Sequence, residues 1–172
     1  INDPKGINIG IRHITVSTCG VVPKIREFAK EKLGVNLAIS LHAPTDEIRN
    51  KIMPINKAYK INDIMDAVKD YIKETNRRVT FEYILLKDIN DSKDCAYELA
   101  SKLKNLNCYV NLIPYNETSN IGFKASSKVT IDEFYDILKM QGINVTIRRE
   151  FGRKVSAACG QLRSEQINEM EK

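Results

Sequence analysis

Short apolar runs of strand length alternate with segments of helical periodicity along this chain, and that alternation leaves few folds open. Ile14 and Val16 alternate within Arg12 to Ser17, and Asn36 to Leu41 is an apolar run suited to a strand buried on both faces. Val79, Phe81, Tyr83 and Leu85 alternate with Thr80, Glu82, Ile84 and Leu86. Tyr109 to Ile113 is stopped by Pro114, and Asn144 to Arg148 supplies a fifth run.

The segments between them carry helix signals. Pro23 suits the first turn of a helix running to about Leu33, closed by Gly34. Thr45 can cap a short helix through Met53, and Ile61, Ile64, Met65, Val68, Tyr71 and Ile72 define one apolar face. Ser92 can cap the helix bearing Cys95, Ala96, Leu99, Ala100, Leu103 and Leu106. After a loop from Tyr115 to Lys128, Thr130 can cap a helix bearing Phe134, Ile137 and Leu138, with Gly142 past its end. Strand–helix–strand crossovers almost always join parallel neighbours, so the expected class is α/β with about five mainly parallel strands. A closed eight-unit barrel takes about 250 residues. Five strands are too few to close one, which leaves an open sheet or part of a barrel, and part of a barrel is the favoured expectation.

At 172 residues and 42% apolar composition the chain can bury a core. No run of about 18 apolar residues exists, and the opening residues lack the regions of a secretory signal, so a soluble, cytoplasmic protein with no membrane partner is expected. Cys19, Cys95, Cys108 and Cys159 lie too far apart for the C-x-x-C pairs of zinc sites and iron-sulfur clusters. Free thiols and no metal site are expected. The net charge of +5 is compatible with nucleic acid but does not select it.

Ligands of parallel α/β folds bind beyond the carboxyl ends of the strands. That rule selects Ser17, Thr18, Cys19 and Gly20, then Ser40 and His42, then Lys87 and Asp88, then Tyr115 and Asn116. Hydroxyls, an amide and an imidazole suit a polar ligand such as a nucleoside, though the same residues commonly satisfy loop backbone. Cys159 sits among Ser156, Ala157, Ala158 and Gly160, preceded by Arg148, Arg149, Arg153 and Lys154. Nearby cations favour the reactive thiolate, while small neighbours equally fit a cysteine packed as a small hydrophobe. The basic stretch, with Tyr115, Phe123 and Phe151, could meet RNA phosphates and splayed bases, or form a solvated face. A non-catalytic RNA-binding α/β module is the alternative reading of the chain.

Four stretches together resemble the RlmN/Cfr family of radical-SAM adenosine RNA methyltransferases: Val16 to Pro23, Ala38 to Pro44, Asn111 to Asn116, and Ala157 to Leu162. The resemblance implies that residues 1–150 form the later half of a radical-SAM partial TIM-type barrel. It makes 151–172 a carboxy-terminal methyl-carrier cysteine loop and tail. It implies that Ser17, Ser40, Leu41, His42 and Asn116 contact S-adenosylmethionine and that Cys159 is catalytic, as the methyl carrier. The implied product is an adenine methylated on a ring carbon, carbon 2 being expected, in 23S ribosomal RNA, with transfer RNA a second candidate partner. A ring carbon of this kind is electron-poor and yields only to a radical, which in the family comes from S-adenosylmethionine reduced at a 4Fe-4S cluster by an external reducing system. The family's C-x-x-x-C-x-x-C motif is absent here. The chain is accordingly expected to be a fragment of a longer parent enzyme, without cluster ligands and inactive alone.

Overall fold

A computed structural model describes residues 1–117 and 122–148. Five strands, β1 (Thr15–Thr18), β2 (Asn36–Ser40), β3 (Val79–Leu85), β4 (Cys108–Pro114) and β5 (Val145–Ile147), pair in parallel in the order of the sequence. Five α-helices make the crossovers: α1 (Val22–Lys30), α2 (Asp46–Ile52), α3 (Ile61–Thr75), α4 (Lys93–Leu103) and α5 (Lys128–Met140). A doubly wound sheet reverses direction at a switch point. Here each crossover adds the next strand on the same side, and with the right-handedness general to such crossovers that order places the helices on one face as in a barrel segment. The α/β class and parallel sheet read from the sequence are those observed.

The alternation in β3 divides the two faces. Val79, Phe81, Tyr83 and Leu85 are fully buried, and the Tyr83 ring lies 5.2 Å from that of Phe134 on α5. Thr80, Glu82 and Ile84 are half-buried on the opposite, open face. Leu37, Ile39, Val110 and Leu112 share the covered face, joining Ile25, Ile64, Val68, Leu99 and Leu138 from the helices in one core. Each such side chain contributes roughly 1.5–3 kcal/mol by burial. Tyr71 ties α3 to the start of β2, stacking on Phe28 and donating its hydroxyl to the Val35 carbonyl at 2.7 Å.

Local chemistry explains where the elements begin and end. Thr45 and Ser92 cap α2 and α4, accepting from the N–H groups of Ile48 and Cys95. The cap of α5 is Ser127 rather than Thr130: the Ser127 hydroxyl accepts from the Thr130 N–H at 3.1 Å. Strand β1 starts at Thr15, later than the alternation indicates, because Ile11–His13 close a 3-10 turn. Helix α1 stops at Lys30, and the left-handed backbone at Lys32 and Gly34 turns the chain into β2. The expected boundary between residues 150 and 151 lies outside the described residues, as does Cys159.

Candidate nucleoside-binding rim

Strand register puts the polar residues of the open face side by side. Ser17 pairs with Ala38, and the next open-face row runs Ser40, Glu82, Asn111 and Thr146 across β2 to β5. Ser17 is exposed and Ser40 half-buried. Asn116 is exposed just past β4, separated from β2 by the width of β3. Among the residues selected by position, Ser17, Ser40 and His42 thus gather at the ends of β1 and β2. Lys87 and Asp88 are exposed beyond β3, where the Lys87 N–H donates to the Lys124 carbonyl at 2.9 Å.

His42 has a left-handed backbone, φ 59°, which a non-glycine residue adopts only when its surroundings hold it there. Three groups do so. Its N–H donates to the Glu82 carbonyl at 3.3 Å, its carbonyl accepts from Asn90 Nδ2 at 2.8 Å, and its ring Nδ1 accepts the Ile84 N–H at 3.1 Å. Because Nδ1 is an acceptor, the ring proton sits on Nε2. Burial, with Arg49 nearby adding to it, lowers the His42 pKa to about 4 against the pull of the Glu82 carbonyl. The imidazole is a neutral N–H donor at physiological pH. Leu41 differs in kind: its side chain is fully buried, its N–H donates to Glu82 and its carbonyl accepts from Arg49.

Arg49 was not legible as a site residue. Fully buried, it donates from Nε to the Leu41 carbonyl, from Nη1 to Asn56 Oδ1, and from Nη2 to the carbonyls of Cys19 and Ser40. Desolvation lowers its pKa, yet a guanidinium remains charged, so a cation bound to neutral acceptors lies directly beneath the rim. Gly20 makes room for it. At φ 102°, an added Cβ would lie 2.6 Å from Ile64 Cδ1 and 3.3 Å from Arg49 Nη2. Thr18 Oγ1 accepts from the N–H groups of Gly20 and Val21 and so holds the same turn.

Asn90, also fully buried, works from the β3 side, donating to the Ile84 and His42 carbonyls and accepting from the Leu86 N–H. The Tyr83 hydroxyl donates to the Asn90 carbonyl at 2.7 Å. Neither Arg49 nor Asn90 faces solvent. They shape the turns that present Ser40 and His42. Cys95 and Cys108 are buried, and burial pushes the Cys108 thiol up to about 11, whereas Cys19 is exposed on the rim. Among the described residues, no three of His, Cys, Asp and Glu stand close enough to hold a metal ion. No helix described is long and apolar enough to cross a membrane.

Fold and rim define a parallel α/β segment of the partial-barrel class with a row of polar side chains at the strand ends. No family model matches the chain. A probable dual-specificity RNA methyltransferase RlmN of Spiroplasma citri is 60% identical over 95% of this chain and 47% of its own length. One of the same description from Bacillus licheniformis is 56% identical over 98% of the chain and 47% of its own. A crystal structure of a radical SAM methyltransferase from Sphaerobacter thermophilus superposes with a TM-score of 0.89 at 47% identity, over 93% of this chain and 47% of that one. The chain belongs to the RlmN/Cfr family and spans about half the length of the curated relatives it matches.

Proposed function

We propose that this chain is part of a radical-SAM RNA methyltransferase, that its rim holds S-adenosylmethionine, and that Cys159 carries the methyl group to an adenine ring carbon. The carrying observation is that Ser17, Ser40 and a neutral His42 converge at the strand ends of a chain closely similar to such methyltransferases. Hydroxyls and an uncharged N–H suit a nucleoside-bearing ligand. When bound, S-adenosylmethionine supplies an activated methyl group and, once reduced, a radical. The chain's own residues bind and orient: Ser17, Ser40 and Asn116 offer polar contacts, His42 donates from Nε2, and Leu41 anchors the turn between them. Cys159, as thiolate, forms a bond to the methyl carbon as the sulfonium bond to that carbon breaks.

The residues of this chain do not fit a 4Fe-4S cluster, since its cysteines form no local set of three. Cluster ligands therefore belong to other parts of the parent enzyme, and the chain alone is inactive. The substrate is carbon 2 of an adenosine in 23S ribosomal RNA, with transfer RNA as a second substrate, in keeping with the dual specificity named for the relatives. The cytoplasm, where ribosomes and a cellular reducing system meet, is the site of action.

The test is nucleoside mass spectrometry of 23S ribosomal RNA from a bacterium lacking its own such methyltransferase and expressing the full-length protein. Restored 2-methyladenosine supports the reading. Unmodified adenosine in cells that accumulate folded, cluster-bearing protein contradicts it.

A further inference from the structure

We infer that Glu82, braced by Asn111, is an additional ligand-binding residue of this site and receives the 2′,3′-diol of a ribose. This rests on the reading that the rim binds S-adenosylmethionine. Glu82 is the direct strand partner of Ser40, and its carbonyl accepts the N–H groups of both Leu41 and His42, at 3.1 and 3.3 Å. Paired residues of neighbouring strands project from the same face, and the strands themselves lie about 4.8 Å apart. A ligand touching Ser40 and His42 therefore lies within reach of the Glu82 carboxylate.

That carboxylate is half-buried on the open face. Asn111 Nδ2 donates to its Oε2 at 2.8 Å, and none of the ion pairs found among the described residues includes it. An ionised carboxylate has about four lone-pair sites, and one amide donor leaves most of them to solvent or a ligand. Only a ligand that brings donors can be matched there. The row around it is neutral, with hydroxyls at Ser40 and Thr146 and the amide of Asn111. A vicinal diol offers two O–H donors spaced to meet the two oxygens of one carboxylate, the way an acidic residue takes a ribose in dinucleotide sites. Asn111 fixes the carboxylate orientation from β4, so it acts as a positioning residue.

Calorimetry on the full-length, cluster-reconstituted protein tests this with S-adenosylhomocysteine and its 2′-deoxy analogue, neither of which can react. Loss of the 2′-hydroxyl should raise Kd about tenfold in the wild-type protein, as expected for a hydrogen bond to a charged group. In Glu82→Gln the two ligands should bind within about twofold of each other, and in Glu82→Asp within about threefold, because the charge is kept but drawn back. Asn111→Ala should reduce the discrimination without removing it. A tenfold discrimination that persists in Glu82→Gln overturns the assignment of the diol to Glu82 while leaving the rim intact. Absence of binding by the wild-type protein would instead remove the S-adenosylmethionine reading, and the inference with it.

Discussion

Arg49 Nη2 donates to the carbonyl of Cys19 at 2.7 Å, joining a helix after β2 to the turn after β1 across 30 residues of sequence. The same guanidinium holds the carbonyls of Ser40 and Leu41, so one buried cation sets the relative position of two turns that carry candidate ligand contacts. Arg49→Met should leave these acceptors buried without donors. The expected cost is about 1–3 kcal/mol for each buried carbonyl that finds no other donor. Arg49→Lys should recover only part of it, since an ammonium lacks the planar fork. Urea unfolding reads both, and a loss below about 1 kcal/mol would show that the network is dispensable.

Gly20 is the second point where geometry leaves no slack. Gly20→Ala meets both a left-handed φ of 102° and a contact of 2.6 Å with Ile64 Cδ1. A destabilisation of about 2 kcal/mol or more is expected, combining backbone strain with overpacking. Adding Ile64→Val, which removes the clashing methyl, should restore part of that loss and leave the backbone part. Ile64→Val alone is the reference, and a double variant whose loss equals the sum of the two single losses would mean that the side-chain contact carries none of the cost.

Much of the fold was legible because its signals are local. Buried parallel strands read as apolar or alternating runs, helices α3 and α4 show their core faces at helical spacing, and Thr45 and Ser92 cap where a hydroxyl precedes a periodic segment. Ser127 and Thr130 are both capping types three positions apart, and only the observed bond from the Thr130 N–H to the Ser127 hydroxyl separates them. The rim positions of Ser17, Ser40 and His42 followed from their places after apolar runs. Arg49 did not, because on a short helix beside Ile48 it reads as a solvated charge, and its acceptors come from the end of β2 and from the turns after β1 and β2. Glu82 was visible as the polar phase of β3, but its partner Asn111 is set by register with β4, which no local pattern encodes.

His42 makes stability depend on pH. Its pKa falls from 6.5 to about 4 on folding, so between those values the unfolded chain binds the extra proton and stability decreases as pH falls. The loss attributable to this residue between pH 7.5 and pH 5 is about 2 kcal/mol. Denaturant melts of the wild-type chain and His42→Asn over that interval isolate its contribution from that of every group the two proteins share. Wild-type stability should drop more steeply than that of the variant, and parallel pH profiles would show that the ring is not held neutral.

Transfer of the methyl group through Cys159 is the central claim, and the mass of one peptide in the full-length protein reads it most directly. Trypsin should release Val155 to Arg163, which contains Cys159 as its sole cysteine. Protein isolated from cells should carry one additional methyl group on that peptide, and Cys159→Ala should lose both the added mass and all RNA methylation. Cys95→Ala and Cys108→Ala, at thiols buried away from the rim, should keep both wherever the protein still folds. An unmodified Val155 to Arg163 peptide in active enzyme, or RNA methylation surviving in Cys159→Ala, would contradict the account.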